Sequence, residues 1–402
     1  SLALLSEAAL AAGIAGEVRS STLVEMMVIN KSIKGLQGEA GAASVGTVLA
    51  GQLQFRPSMR PAEVLETIPG MVVTQHSGAG KANQYFLRGF NLDHGTDFAN
   101  HVDGVPVNMV THGHGQGYTD LNFLIPEMID RMVYKKGPYD SEEGDFSSAG
   151  SAHIDYVTHF DKKGLDKNTL KVTAGEGHYQ RTLLTGSVAL NEDNVAYALE
   201  SLTNDGPWEV KDNFDKINAL LKYSRGDSEQ GQSLTVMYYK ADWTGTDQVP
   251  VRLVESGDLG RFGSLDDSTG GDTHRYSLSA KTWGVLSEDT RFEASVYAVD
   301  YELSLSGNFT YNLVNRAEGD QVTQFDHRNY YGGKYKLTHT IDETHELHLG
   351  AELRYDDISD VGLGHSVARK IEAVDMVTRS SVEALSYAGF GSVHSQWNDW
   401  FS

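Results

Sequence analysis

From Leu170 onward, apolar and polar residues alternate with period two in segment after segment, and no other feature limits the possible folds so strongly. Over 343–355, His345, Leu347, Leu349, Ala351, Leu353 and Tyr355 share one face, while Glu346, His348, Glu352 and Arg354 share the other. Phe292, Ala294, Val296 and Ala298 oppose Arg291, Glu293 and Ser295, and Ile217, Ala219, Leu221 and Tyr223 form another apolar row. Tyr331, Tyr335 and Leu337 alternate with Lys334 and Lys336. The pattern predicts ten strands, at 168–175, 179–190, 193–203, 215–225, 231–243, 273–285, 289–303, 323–340, 343–358 and 382–395. Connections alternate as well: short polar turns at 191–193, 226–231, 287–289 and 342–343, and long loops at 204–214, 244–272, 304–322 and 359–381. Short turns at one end and long loops at the other are expected of antiparallel transmembrane β-barrel strands, with lipid outside and water or protein inside. A soluble sandwich gives no reason for such alternation.

Bulk properties agree. A net charge of −22 argues against a nucleic-acid partner, because nothing would neutralise phosphates. No run of about 18 apolar residues exists, which excludes a transmembrane helix but not a barrel. The 42 glycines and 19 tyrosines suit a barrel with bends and aromatic girdles. The absence of cysteine fits any compartment. The Ala/Leu-rich start, Ser1 to Gly16, reads either as the remnant of a signal peptide or as a short frayed helix or linker.

Between Asn83 and Val157 glycines instead punctuate short apolar runs, at Arg88-Gly89-Phe90, Asp103-Gly104-Val105-Pro106, Lys136-Gly137-Pro138 and Gly144. Such spacing predicts a compact domain of short strands and tight turns. Ten strands would close with a radius of only about 10 Å, too narrow for a globule with an overall radius near about 17 Å. A barrel of about 22 strands could hold it. The expected fold is therefore mostly β: an α+β domain followed by an incomplete barrel, about ten of roughly 22 strands, in the N-terminal part of a larger protein. The expected boundaries are an N-terminal segment at 1–45, the globule at 46–160 and barrel strands at 161–402.

Four motifs, in this order and spacing, resemble the plug of the TonB-dependent outer-membrane receptors: "VLETIPGMVV" (Val64–Val73), "YFLRGF" (Tyr85–Phe90), "VDGVPV" (Val102–Val107) and "YKKGPYDSEEGDFSSAGSAHIDYV" (Tyr134–Val157). The barrel region is similar in pattern only. The resemblance implies that Arg88, Gly89, Asp103, Gly104, Gly137 and Pro138 are structural, setting turns and plug–barrel contacts. Upstream, Thr22, Leu23, Val24, Glu25, Met26, Met27, Val28 and Ile29 resemble a TonB box, although Met26-Met27 departs from the usual run of valines. Such an extended segment can add as a strand to the sheet edge of TonB, the inner-membrane partner.

By the same resemblance the plug's apical loops, 75–84, 91–100 and 108–120, face the outside and meet the substrate. They carry His76, Lys81, Asp93, His94, Asp97, His112, His114, Gln116 and Tyr118. The His112-Gly113-His114 pair, with His94, Asp93 and Asp97 nearby, could offer imidazole and carboxylate ligands to a transition metal, while solvated loop histidines also serve for hydrogen bonding or barrel contact. No cofactor is expected. The implied function is TonB-dependent active transport of a scarce nutrient across the bacterial outer membrane, most readily a metal chelate such as a ferric siderophore, or a metal. Haem, cobalamin and oligosaccharide remain open as cargo. A passive plugged porin or surface-binding protein is the alternative. A metal-dependent enzyme has only residue types in its favour, without H-E-x-x-H, G-x-S-x-G or P-loop motifs, so the chain is not expected to be an enzyme.

Overall fold

The computed structural model describes residues 39–40, 43–53, 56, 59–76, 78–157, 168–245, 247–372 and 375–397. The TonB-box-like stretch Thr22–Ile29 lies outside the described residues. The first half forms two small sheets. The strands are β1 (Glu39–Ala40), β2 (Val45–Leu49), β3 (Met71–Thr74), β4 (Gln84–Leu87), β5 (Phe90–Asn91), β6 (Phe98–Val102), β7 (Val105–Pro106), β8 (Ile129–Lys136) and β9 (Gly150–Tyr156). One sheet runs β1-β2-β8-β9-β6-β7 and the other β3-β4-β5. Among the described residues only the β6–β9 pair is parallel.

The glycine-punctuated motifs become hairpin turns. Arg88 and Gly89 both have positive φ, 53° and 84°, between β4 and β5; Asp103 and Gly104 do the same, 51° and 81°, between β6 and β7. Two consecutive left-handed residues are what a type I′ turn requires, and Gly at its second position removes the Cβ clash. Short helical turns at Pro61–Thr67 and Pro126–Met128 each start with proline, whose fixed φ suits a first helical position. Between the sheets and these turns lies the core, including Leu65, Ile68, Val107, Leu121, Leu124, Ile125 and Met128, each fully buried.

The second half is one ten-stranded sheet: β10 (Thr169–Ala174), β11 (Gln180–Leu190), β12 (Asp193–Asn204), β13 (Phe214–Gly226), β14 (Gly231–Thr244), β15 (Gly270–Ser287), β16 (Thr290–Gly307), β17 (Val322–Thr340), β18 (His345–His365) and β19 (Met376–Ser395). Each strand pairs antiparallel with the next. β10 and β19 are the two edges, so the sheet is open, as expected of part of a barrel. All ten expected strands are present. The last expected loop, 359–381, is shorter than read: β18 continues to His365 and β19 starts at Met376. Here the apolar alternation lapses while the hydrogen-bond ladder continues, with Val361 paired to Ser380 and Leu363 to Thr378. A bidentate Arg379–Asp360 pair, 2.8 Å on each arm, spans the two strands. The long 245–269 loop also holds a short helix, α1 (Val251–Ser256), which no periodicity announced.

The apolar rows read from the sequence point away from the plug. Ile217, Leu221, Leu349 and Leu353 are about half exposed, while Lys216, Asn218, Lys222, Asp326, Arg328 and Asp356 on the opposite face are buried. This inverted distribution, apolar out and charged in, is that of a barrel wall rather than a soluble domain.

Asn108, just after β7, ties the plug's loops together. Its Nδ2 donates to the carbonyls of Gly95 (2.8 Å), Phe98 (2.9 Å) and Gly117 (3.2 Å), and its Oδ1 accepts the Asn100 N–H at 2.7 Å. Since each buried polar group left unpaired costs about 1–3 kcal/mol, Asn108→Ala is expected to lower plug stability by at least about 2 kcal/mol. Urea unfolding followed by plug-specific hydrogen exchange measures it; a loss below about 1 kcal/mol would mean that water replaces the amide.

Candidate functional site

At the end of the sheet that carries the long loops, three plug loops converge. Two are pressed backbone to backbone: a Cβ on Gly95 (φ 122°) would lie 2.7 Å from the Gly117 carbonyl, and one on Gly117 (φ 74°) would lie 2.9 Å from Thr96 Cα. Only glycine allows this approach. It sets His94 beside the segment that carries His112 and His114.

The result is a chain of rings. The His76 and His94 centroids are 5.3 Å apart, His94 and His114 4.7 Å, and His114 and Tyr118 5.6 Å; His112 stacks on Tyr118 at 4.1 Å. His94 Nδ1 lies 3.1 Å from the Ala82 carbonyl and 3.0 Å from that of Asn83, so it donates and its Nε2 keeps a lone pair. His114 Nδ1 is 2.6 Å from Gln324 Oε1 on β17. His112 is spent: its Nδ1 accepts the His114 N–H at 3.1 Å and its Nε2 meets Tyr301 Oη at 3.2 Å. Consequently His94, His112 and His114 do not converge as a three-nitrogen ligand set among the described residues; the Nε2 atoms of His94 and His114 make no hydrogen bond to them.

Burial keeps these imidazoles neutral. His94 is pulled down to about 4, by desolvation first and the Lys81 charge second. His114 falls to about 2 for the same two reasons, and desolvation likewise takes His112 well below its ordinary value. Lys81 is itself lowered to about 8 by burial, against the pull of Asp247 and Asp93. Neutral imidazole is the metal-binding and hydrogen-bonding form. The other expected site residues diverge: Asp97 takes a hydrogen bond from Ser148, and Gln116 accepts the Thr111 N–H at 2.9 Å within its own loop. Asp93 is exposed, 3.7 Å from His94 Nε2.

The sheet holds this assembly with cations that the sequence reading passed over. Arg328 on β17 donates to the carbonyls of Val110 (2.7 Å) and Thr111 (3.3 Å), and Arg354 on β18 to that of Asn108 (2.8 Å). Asp326 and Asp356 neutralise the two guanidiniums. A signal was present, since Asp326, Arg328, Arg354 and Asp356 sit two apart on polar faces. Beside the rings a cavity of about 890 Å³ opens between the plug and the loop ends of β10 to β13, lined by Arg60, His76, Tyr179, Trp208, Asp212 and Lys216 among others. Burial pushes Asp212 up to about 6.

At the opposite end the Asp103-Gly104 turn locks onto the wall. Asp103 meets Lys222 Nζ at 2.6 Å and accepts from Thr235 Oγ1 at 2.5 Å, with Lys281 at 3.6 Å and Asp155 bridging Lys281 and Arg131. Burial alone would raise the Asp103 carboxyl, but Lys222 and Lys281 outweigh it and hold it below the usual carboxylate value. Arg88 and Gly89 form their turn without such a contact, Arg88 N–H bonding the Gly70 carbonyl at 2.8 Å. Gly137 also turns with positive φ, its N–H bonding the Ala149 carbonyl at 2.8 Å.

With this geometry in place, the comparisons with known proteins are specific. Residues 39–151 match the family model of the TonB-dependent receptor plug domain. Among solved structures, the chain is similar to the pyoverdine outer-membrane receptor FpvA from Pseudomonas aeruginosa PAO1 (TM-score 0.68, 12% identity, 89% of this chain and 54% of that one). It is also similar to the ferric citrate transporter FecA (TM-score 0.67, 14% identity, 90% and 55%) and to the copper transporter OprC (TM-score 0.63, 16% identity, 87% and 52%). The chain thus spans about half the length of these structures. The fold is that of a TonB-dependent receptor, plug plus part of the barrel.

Removing one partner of a buried pair strands the other charge, at about 3–5 kcal/mol. Asp103→Asn is therefore expected to destabilise the docked plug by about that amount, read from the unfolding midpoint in detergent. A change under about 1 kcal/mol would show that Lys222 finds water or Asp155 instead.

Proposed function

We propose that this chain, with its plug and ten barrel strands, serves an outer-membrane receptor that actively imports a scarce metal-bearing nutrient, a metal chelate or a metal ion. The observation that carries the proposal is the set of desolvated, neutral imidazoles (His76, His94 and His114) on the plug face beneath the long loops, beside a cavity open to solvent. Neutral imidazole with its second nitrogen fixed by a carbonyl or amide oxygen, as in His94 and His114, is the usual arrangement of a metal-binding histidine. The outward apolar face of the sheet supports insertion in lipid. No helix among the described residues is long and apolar enough to cross a membrane, which says nothing of strands.

Energy has to come from inside, because the outer membrane has no nucleotide supply of its own. The segment Thr22–Ile29 is the part that would pair with TonB, by strand addition. A pull there would act on a plug held by the Asp103–Lys222 lock at one end and by the Arg328 and Arg354 contacts at the other.

Two measurements test this reading. Deleting Thr22–Ile29 is expected to abolish uptake of labelled cargo into cells while leaving surface binding intact; unchanged uptake would favour a passive pore. The double substitution His94→Ala/His114→Ala is expected to weaken binding of copper or a ferric chelate by about tenfold or more, the scale on which even the partners of metal ligands matter. Unaltered affinity for every metal form tried would remove the imidazoles from the binding surface.

A further inference from the structure

A second cluster of metal-ligating side chains lies far from the apical rings, and the transport reading makes no use of it. β6 and β9 are parallel neighbours, and their register places His101 directly beside His153. The two rings stack with centroids 4.5 Å apart and planes only 3° from parallel. Glu143, from the 137–149 segment that connects β8 to β9, reaches back so that its Oε2 lies 2.7 Å from His153 Nε2. One ligand atom from each of His101, Glu143 and His153 falls within 4.8 Å of the others. His101 Nδ1 is buried and has no hydrogen-bond partner among the described residues.

The geometry points to a divalent transition-metal site formed by His101, His153 and Glu143. A tetrahedral ion with bonds of about 2.0–2.2 Å holds its ligand atoms about 3.4 Å apart, so the two rings must tilt together by about an ångström while the backbone keeps its place. The ion enters between His153 Nε2 and Glu143 Oε2, which part from 2.7 Å to about 3.4 Å, and His153 shifts to the tautomer with its hydrogen on Nδ1. Water completes the fourth position. Two imidazoles and one carboxylate suit zinc, cobalt, nickel or copper(II) and disfavour magnesium and calcium, which take all-oxygen sets.

The charges around Glu143 allow this. Lys135 contacts its Oε1 at 2.7 Å, but Lys135 also has Asp140 at 2.5 Å and Glu142 at 2.7 Å, so it stays paired when Glu143 turns to a cation. Glu142 in turn holds Lys336 at 2.7 Å.

Position gives the site a consequence. His114 meets β17 at Gln324, whereas the segment that carries Glu143 meets it at Lys334 and Lys336. Ten residues of strand separate Gln324 from Lys334, roughly 30 Å at about 3.4 Å per residue. A bound ion there would staple the 137–149 segment to the plug sheet on the flank that faces β17 to β19. It is distinct from the apical binding surface and does not depend on what that surface binds.

Cobalt(II) titration of the full chain in detergent tests it, followed by d–d absorption and by metal content after gel filtration. One tightly bound equivalent with a tetrahedral spectrum is expected. It should persist in the His94→Ala/His114→Ala protein and vanish in His101→Ala and in His153→Ala. Zinc should slow proteolysis within 137–149 in the parent protein and in neither variant. Should a histidine variant fold poorly, Glu143→Gln keeps the shape and removes the charge, and is expected to weaken cobalt binding by about tenfold or more. Absence of a bound equivalent, or an equivalent unaffected by all three substitutions, overturns the assignment.

Discussion

The inward face of the ten-stranded sheet is charged, and whatever sits against it has to neutralise it. A wall whose outer surface is apolar has nowhere else to put its polar residues, so Lys216, Lys222, Arg328, Arg354, Asp326 and Asp356 all point at the plug and are buried there. An unpaired buried charge costs several kcal/mol, whereas a paired one roughly breaks even and fixes register. The plug answers in kind. Asp103 receives Lys222, Glu127 receives Arg181 in a bidentate pair at 2.6 and 2.9 Å, and backbone carbonyls receive Arg328 and Arg354. Docking thus combines charge and hydrogen-bond matching with apolar burial, since Tyr239, Trp243, Val299, Tyr301 and Leu303 of the sheet share one buried cluster with Val107, Tyr118 and Leu121 of the plug. Polar contacts of this kind can be exchanged for water when a plug moves.

The same constraint shapes the site. His112 is absorbed into the docking network through Tyr301, and its ring packs on Tyr118, which fixes the loop that displays His114. Lys81, buried near three imidazoles, keeps them deprotonated by its charge as well as by the dry surroundings. A histidine-rich surface in open solvent would gain charge on mild acidification. Here, burial holds it neutral.

Much of this could be read along the chain. The ten strands, their apolar faces and the alternation of turns with loops followed from the period-two pattern, and the Arg-Gly and Asp-Gly pairs marked the two tight hairpins. The apical loops do cluster at the loop end. Less visible were the pairings across long sequence distances: Asp103 with Lys222 and Gln324 with His114. The His112-x-His114 spacing suggested joint ligation, but the two rings take different partners, because a glycine loop carries no fixed side-chain period. His101 and His153 are 52 positions apart and showed no local pattern; only the parallel β6–β9 register brings them together.

What the sequence by itself determined is therefore local and periodic: which residues face lipid, where strands turn, and which glycines must adopt left-handed conformations. Hydrophobic alternation and backbone sterics act between near neighbours, so a linear string carries them whole. Tertiary structure alone decided which histidines keep a free nitrogen, which charges are cancelled and where metal-ligating atoms converge. Those outcomes depend on burial and on distant partners, as between Asn108 and Arg354, 246 residues apart.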